Sequence, residues 1–88
     1  LAGRWYAPPG ARLGAPTLTQ GWQRLALQWY RCGSTGHGCA PVARATGSTY
    51  VVARTEPSTS SFRVLIRAHV AGRADPVEVM SGAVFIHP

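Results

Sequence analysis

Two stretches of the chain alternate apolar and polar positions clearly. In Leu25-Ala26-Leu27-Gln28-Trp29-Tyr30, Leu25, Leu27 and Trp29 recur at every second position. That spacing sets them on one face of a pleated strand and Ala26, Gln28 and Tyr30 on the other. In Phe62–Val70 (FRVLIRAHV), Phe62, Val64, Ile66, Ala68 and Val70 share one face, and Arg63, Leu65, Arg67 and His69 share the opposite one. An inward tryptophan in mid-strand is a residue around which a two-sheet core packs. No apolar run sustains the period of an amphipathic helix, so strands and turns are predicted throughout.

Weaker signals fill in the rest. Residues 1–16 (LAGRWYAPPGARLGAP) are rich in Pro, Gly and Arg and read as a lead-in with at most a short edge strand, ahead of a sandwich over 17–88. Trp5 and Tyr6 are expected to pack over the end of the sandwich, the alternative being an exposed binding platform. Thr17-Leu18-Thr19 predicts a short strand ended by Gly21, with Trp22 closing the core from a loop. Ala40–Ala43 reads as a short return strand, Ala45–Ser48 as a turn, and Thr49–Ala53, β-branched and aromatic, as a further strand. Pro57 keeps the polar connector Thr55–Ser61 out of any central strand. After a turn at Ala71–Pro76, Val77–Ile86 returns with a break at Ser81-Gly82. Strands and turns at a spacing of roughly 8–12 residues predict an all-β fold, an antiparallel sandwich. Leu27, Trp29, Tyr50, Phe62, Val64 and Ile66 are its expected core.

The length of 88 residues allows one domain with one core. No apolar segment approaches the roughly 18–20 residues that span a bilayer. Cys32 and Cys39 bracket Gly33-Ser34-Thr35-Gly36-His37-Gly38, a reverse turn with three glycines. A disulfide there would remove about 2–2.5 kcal/mol of denatured-state entropy, useful in so small a domain, and implies an oxidising compartment. Cys32, His37 and Cys39 could instead approach a metal, but zinc sites usually need four ligands and no second Cys or His pair has a fitting spacing. The disulfide is therefore expected, with no metal and no cofactor.

All nine basic residues are arginine, against Glu56, Asp75 and Glu78 as the acids, for a net charge of +6. Such a domain attracts anionic polymers at low salt, yet its arginines are spread along the chain, which argues against a dedicated nucleic-acid surface. The charge fits a GC-rich coding bias as well as a selected basic surface. Nothing provides a paired-carboxylate site, a nucleophile elbow or a phosphate loop ahead of a helix, so no catalytic residues are expected. His69 reads as a surface strand residue. The one site-like surface is the outward face of the two strong strands, where Tyr30, Arg63 and Arg67, near Gln28 and His69 with Arg31 at the edge, would suit an anionic glycan.

The residues Leu18-Thr19, Gly21-Trp22, Leu27-Gln28-Trp29-Tyr30-Arg31-Cys32, Gly38-Cys39, Ala45-Thr46-Gly47-Ser48-Thr49-Tyr50 and Phe62-Arg63-Val64, in that order, resemble bacterial immunoglobulin-like domains. These repeat in tandem in secreted and surface proteins of high-GC Gram-positive bacteria. The resemblance covers about residues 13–72 and is most specific from Gln28 to Tyr50. It implies an Ig-like sandwich of about seven strands, with Trp29 on the third and Cys32–Cys39 stapling the hairpin beyond it. Leu18 and Ile66 would lie on the strands that carry the inter-sheet bridge of antibody domains. The chain departs from the family at Glu56-Pro57-Ser58-Thr59-Ser60 and at Val70-Ala71-Gly72, where other turn sequences are usual. The function implied is a non-catalytic spacer or assembly module, outside the cell or on its surface. Its termini would lie at opposite ends and its partners would be neighbouring domains. The alternatives are a binding module for anionic envelope polysaccharide and an accessory domain packed on a larger assembly or enzyme.

Overall fold

The computed structural model describes residues 5–18 and 20–87. In chain order the strands are β1 (Trp5–Ala7), β2 (Arg12–Gly14), β3 (Trp22–Cys32), β4 (Ala40–Pro41), β5 (Thr49–Val51), β6 (Ser61–Val70), β7 (Val77–Met80) and β8 (Val84–Ile86). There is no helix among the described residues.

The two strongly alternating stretches form the central pair: β3 and β6 run antiparallel from Trp22↔Val70 to Cys32↔Ser61. β4 extends the sheet beyond β3. The other edge of β6 is shared, β7 pairing with Leu65–Ala68 and β8 with Ser61 and Phe62. The run from Val77 to Ile86 is thus broken at Ser81-Gly82-Ala83, where Ser81 Oγ accepts the Val64 N–H at 2.9 Å in place of a ladder bond. β1 closes the far side, parallel to β8. β2 and β5 pair antiparallel as a second, two-stranded sheet.

The two sheets share one core, an arrangement that fits a β-sandwich. Leu13 of β2 and Val52 just after β5 are buried with Leu27, Trp29, Phe62, Val64, Ile66 and Ile86. Tyr50 is half-buried against them, its ring 5.8 Å from that of Trp29 and 5.2 Å from that of Phe62. Trp29 is 2% exposed, and its indole N–H donates to the Gly47 carbonyl at 2.8 Å, so the ring's one polar atom is satisfied inside the fold.

Four features differ from the sequence expectation. The segment read as a lead-in supplies both β1 and β2, and it places Ala7 and Leu13 in the core. What joins these strands is a tight turn: Pro8-Pro9-Gly10-Ala11 is closed by the Ala11 N–H on the Pro8 carbonyl at 3.1 Å, with Gly10 at φ +84°. Proline second and a left-handed glycine third is the chemistry of a type II turn. Thr17 and Leu18 are not in a strand, and Thr19 lies outside the described residues. Leu18 still packs against the core, but Leu13 occupies the second strand.

Leu25 does not share the inward face of Leu27 and Trp29. Arg24 faces Ala68 and Ala26 faces Arg67, leaving Leu25 as the extra residue of a bulge, 51% exposed. One extra residue reverses the parity of the strand. Trp22, an odd number of positions from Trp29, is thereby brought to the same face and packs against the core from the first residue of β3, not from a loop. Lastly, Trp5 and Tyr6 do not cover the sandwich end: they are 76% and 58% exposed. β1 is an edge strand, and no described strand lies beyond it.

Candidate functional site

The Cys32–Cys39 disulfide forms, with Cα atoms 4.0 Å apart. Both sulfurs are committed to it, so neither serves as a thiolate ligand, and no group of three metal-binding side chains is found among the described residues. The loop it closes turns back over the outward face of the large sheet. Gly36 is buried there at φ +81°, and a Cβ on it would lie 3.2 Å from both Arg63 Nη2 and Ala83 Cβ.

That loop changes the outward patch. Tyr30 and Arg63 are direct cross-strand partners, and Arg67 follows on the same face opposite Ala26 and Glu78. Arg63, however, is half-buried beside Gly36, and its Nη1 reaches the Ser81 carbonyl at 3.5 Å. Gln28 is turned aside as well, donating to the carbonyls of Val42 at 2.8 Å and Trp29 at 3.0 Å. His69 is exposed opposite Gln23. Of Tyr30, Arg63 and Arg67, Arg67 alone is exposed.

Arg31 lies on the inward face, across from Phe62. Its Nη2 donates to Glu56 Oε1 at 2.7 Å, and Ser60 Oγ donates to Glu56 Oε2 at 2.6 Å. Glu56 has 4% of its side chain exposed. Two tight turns hold it: Glu56 N–H bonds the Ala53 carbonyl and Ser60 N–H the Pro57 carbonyl, each at 3.1 Å. In the sequence Glu56 falls in the polar connector Thr55–Ser61. The signal was the Ser60 hydroxyl four residues on, but the partner arginine came from another strand and could not be paired by inspection. The arrangement ties a loop to the sheet.

A further concave feature lies between β1 and β2. A groove of about 570 Å³ runs there, with Trp5, Tyr6 and Val84 on one wall, Arg12, Leu13, Gly14 and Pro16 on the other, and Trp29, Phe62 and Val64 at its floor. It reaches the core directly. Tyr6 is backed by Phe85, ring centroids 6.1 Å apart, and meets His87 edge-on at 5.7 Å. The sequence clue was Pro8-Pro9-Gly10 between two short alternating stretches, Trp5–Ala7 and Leu13–Ala15. Trp5 on one lip and Arg12 on the other give the groove an aromatic and a cationic border. No helix among the described residues is long and apolar enough to cross a membrane.

In comparisons with known proteins, the chain matches no family model, no curated protein and no solved structure.

Proposed function

We propose that the chain is a non-catalytic Ig-like module of a secreted or cell-surface bacterial protein, and that it works by assembling with neighbouring polypeptide. The observation that carries this reading is the parallel pairing of β1 with β8, with Trp5 and Tyr6 left exposed on the outer strand. In that pairing the chain enters and leaves the domain in the same direction, as a unit strung head to tail requires. The strand order supports the Ig-like reading: β4-β3-β6-β8-β1 faces β2-β5, and a buried tryptophan sits on the third strand. Secretion rests on the Cys32–Cys39 disulfide, which persists in oxidising surroundings. A structural role for the buried acid, Glu56, fits a domain without catalysis.

Of the alternative partners, an anionic polysaccharide would meet chiefly Arg67 on the outward face. Exposed aromatics beside an open groove favour a protein neighbour instead. The test is the size of the native complex that holds this chain in its own host, compared with that of the Trp5→Ala/Tyr6→Ala variant. A shift to smaller species, with the variant folded and still exported, is expected. A complex of unchanged size overturns the assembly reading.

A further inference from the structure

The groove between β1 and β2 has a strand edge along one wall, and that edge pairs with no other described strand. Ala15 N–H donates to the Ser48 carbonyl at 2.8 Å and Val52 N–H to the Ala11 carbonyl at 2.9 Å. With Leu13 opposite Tyr50, residues 11, 13 and 15 therefore turn their backbone groups toward β5. In an antiparallel ladder the intervening residues, Arg12 and Gly14, turn theirs the other way. β2 pairs with β5 alone, and no bond joins the backbone of Arg12 or Gly14 to another described residue. Two residues thus offer their N–H and C=O groups at the lip of a groove whose floor is Trp29, Phe62 and Val64.

From these features we infer that β2 is a strand-addition site. Its occupant is an extended segment of a partner protein, with alternating apolar residues that enter the groove and an acidic residue over Arg12. The pairing satisfies the outward N–H and C=O groups of Arg12 and Gly14, and period-two alternation sends every second side chain of the added strand toward Trp5 and the floor. Charge selects the occupant. No groove-lining residue is acidic, whereas Arg12 stands at its rim, and the chain carries +6, so two copies repel one another. A partner of opposite sign fits and a second copy does not. This inference deepens the assembly reading and rests on it.

The test selects a displayed library of random heptapeptides on the 88-residue chain, then follows one synthetic winner by amide NMR and titration. Winners are expected to alternate apolar residues and carry an acid, and to slow hydrogen exchange at the Arg12 and Gly14 amides. Gly14→Pro removes one of those donors without touching the β5 ladder, and a side chain at Gly14 meets nothing within 4 Å. It should weaken the peptide about tenfold or more with thermal stability unchanged. Arg12→Glu should weaken it as well. Protection at Tyr6, on the free edge of β1, in place of Arg12 and Gly14 overturns the inference, as do indifference to Gly14→Pro, self-association through this edge, or the failure to select any alternating peptide. If Gly14→Pro leaves the host complex intact while Trp5→Ala/Tyr6→Ala breaks it, strand addition is wrong and the assembly reading stands.

Discussion

Arg31 and Glu56, 25 positions apart in the chain, meet at 2.7 Å where the end of β3 faces the loop ahead of β6. The pair is lopsided: 54% of the arginine side chain is exposed, against 4% of the glutamate. Solvent screens the arginine, so its attraction is modest, but the carboxylate has few other ways to be satisfied. Arg31→Ala leaves Glu56 buried with Ser60 as its remaining side-chain donor. A loss of about 1–3 kcal/mol is expected in urea denaturation. Glu56→Gln, which keeps the shape and the hydroxyl bond, should cost less, and equal losses would contradict the account.

Trp29 is held by both packing and a hydrogen bond, and these separate experimentally. Trp29→Ala should cost about 3–5 kcal/mol, as large-to-small changes in a closed core do. Trp29→Phe retains much of the ring contact with Tyr50 but abandons the Gly47 carbonyl, for a smaller loss of about 1–3 kcal/mol. Chemical denaturation of the two variants side by side reads the difference.

The bulge makes a paired prediction for two leucines that look alike in sequence. Leu25→Thr should alter stability by less than about 0.5 kcal/mol, since the side chain stands in solvent. Leu27→Ala, two positions on and 7% exposed, should cost about 2–5 kcal/mol. Similar midpoints for both would mean that β3 has no bulge.

Gly36 and Gly38 both have positive φ, +81° and +70°, but only Gly36 is crowded. Gly38→Ala pays backbone strain alone, about 1–2 kcal/mol. Gly36→Ala should cost more, because its Cβ meets Arg63 and Ala83 at 3.2 Å and the Cys loop must lift to admit it. Thermal melts rank the two, and the reverse order would show that the loop does not rest on the sheet.

Reduction of Cys32–Cys39 should release the chain-entropy advantage of a short loop, about 2.5 kcal/mol, and increase the intact mass by two hydrogens. Unchanged denaturation midpoints in reductant would show that the crosslink adds nothing to stability.

Much of this fold was legible because its two longest strands obey a period of two over most of their length. Phe62, Val64, Ile66 and Ala68 repeat without interruption, and each is buried. The Cys loop and the break at Ser81-Gly82 were legible for a related reason: their chemistry is local, written in residues adjacent along the chain. Local chemistry also lay in Pro8-Pro9-Gly10, whose turn links the β1 and β2 segments taken for a lead-in.

Pairing was what the chain alone left open. A strand of three residues, such as Trp5–Ala7 or Arg12–Gly14, has too few positions to show a period, and it exists because a distant partner offers hydrogen bonds: Val84–Ile86 for one, Thr49–Val51 for the other. The bulge at Leu25 is of the same kind, since a register shift belongs to two strands and appears in neither sequence. The burial of Glu56 likewise required Arg31 to arrive from elsewhere. Alternation along a strand decided which faces are apolar; only the meeting of distant segments decided which edges were closed, and among the described residues it left one edge of β2 without a partner.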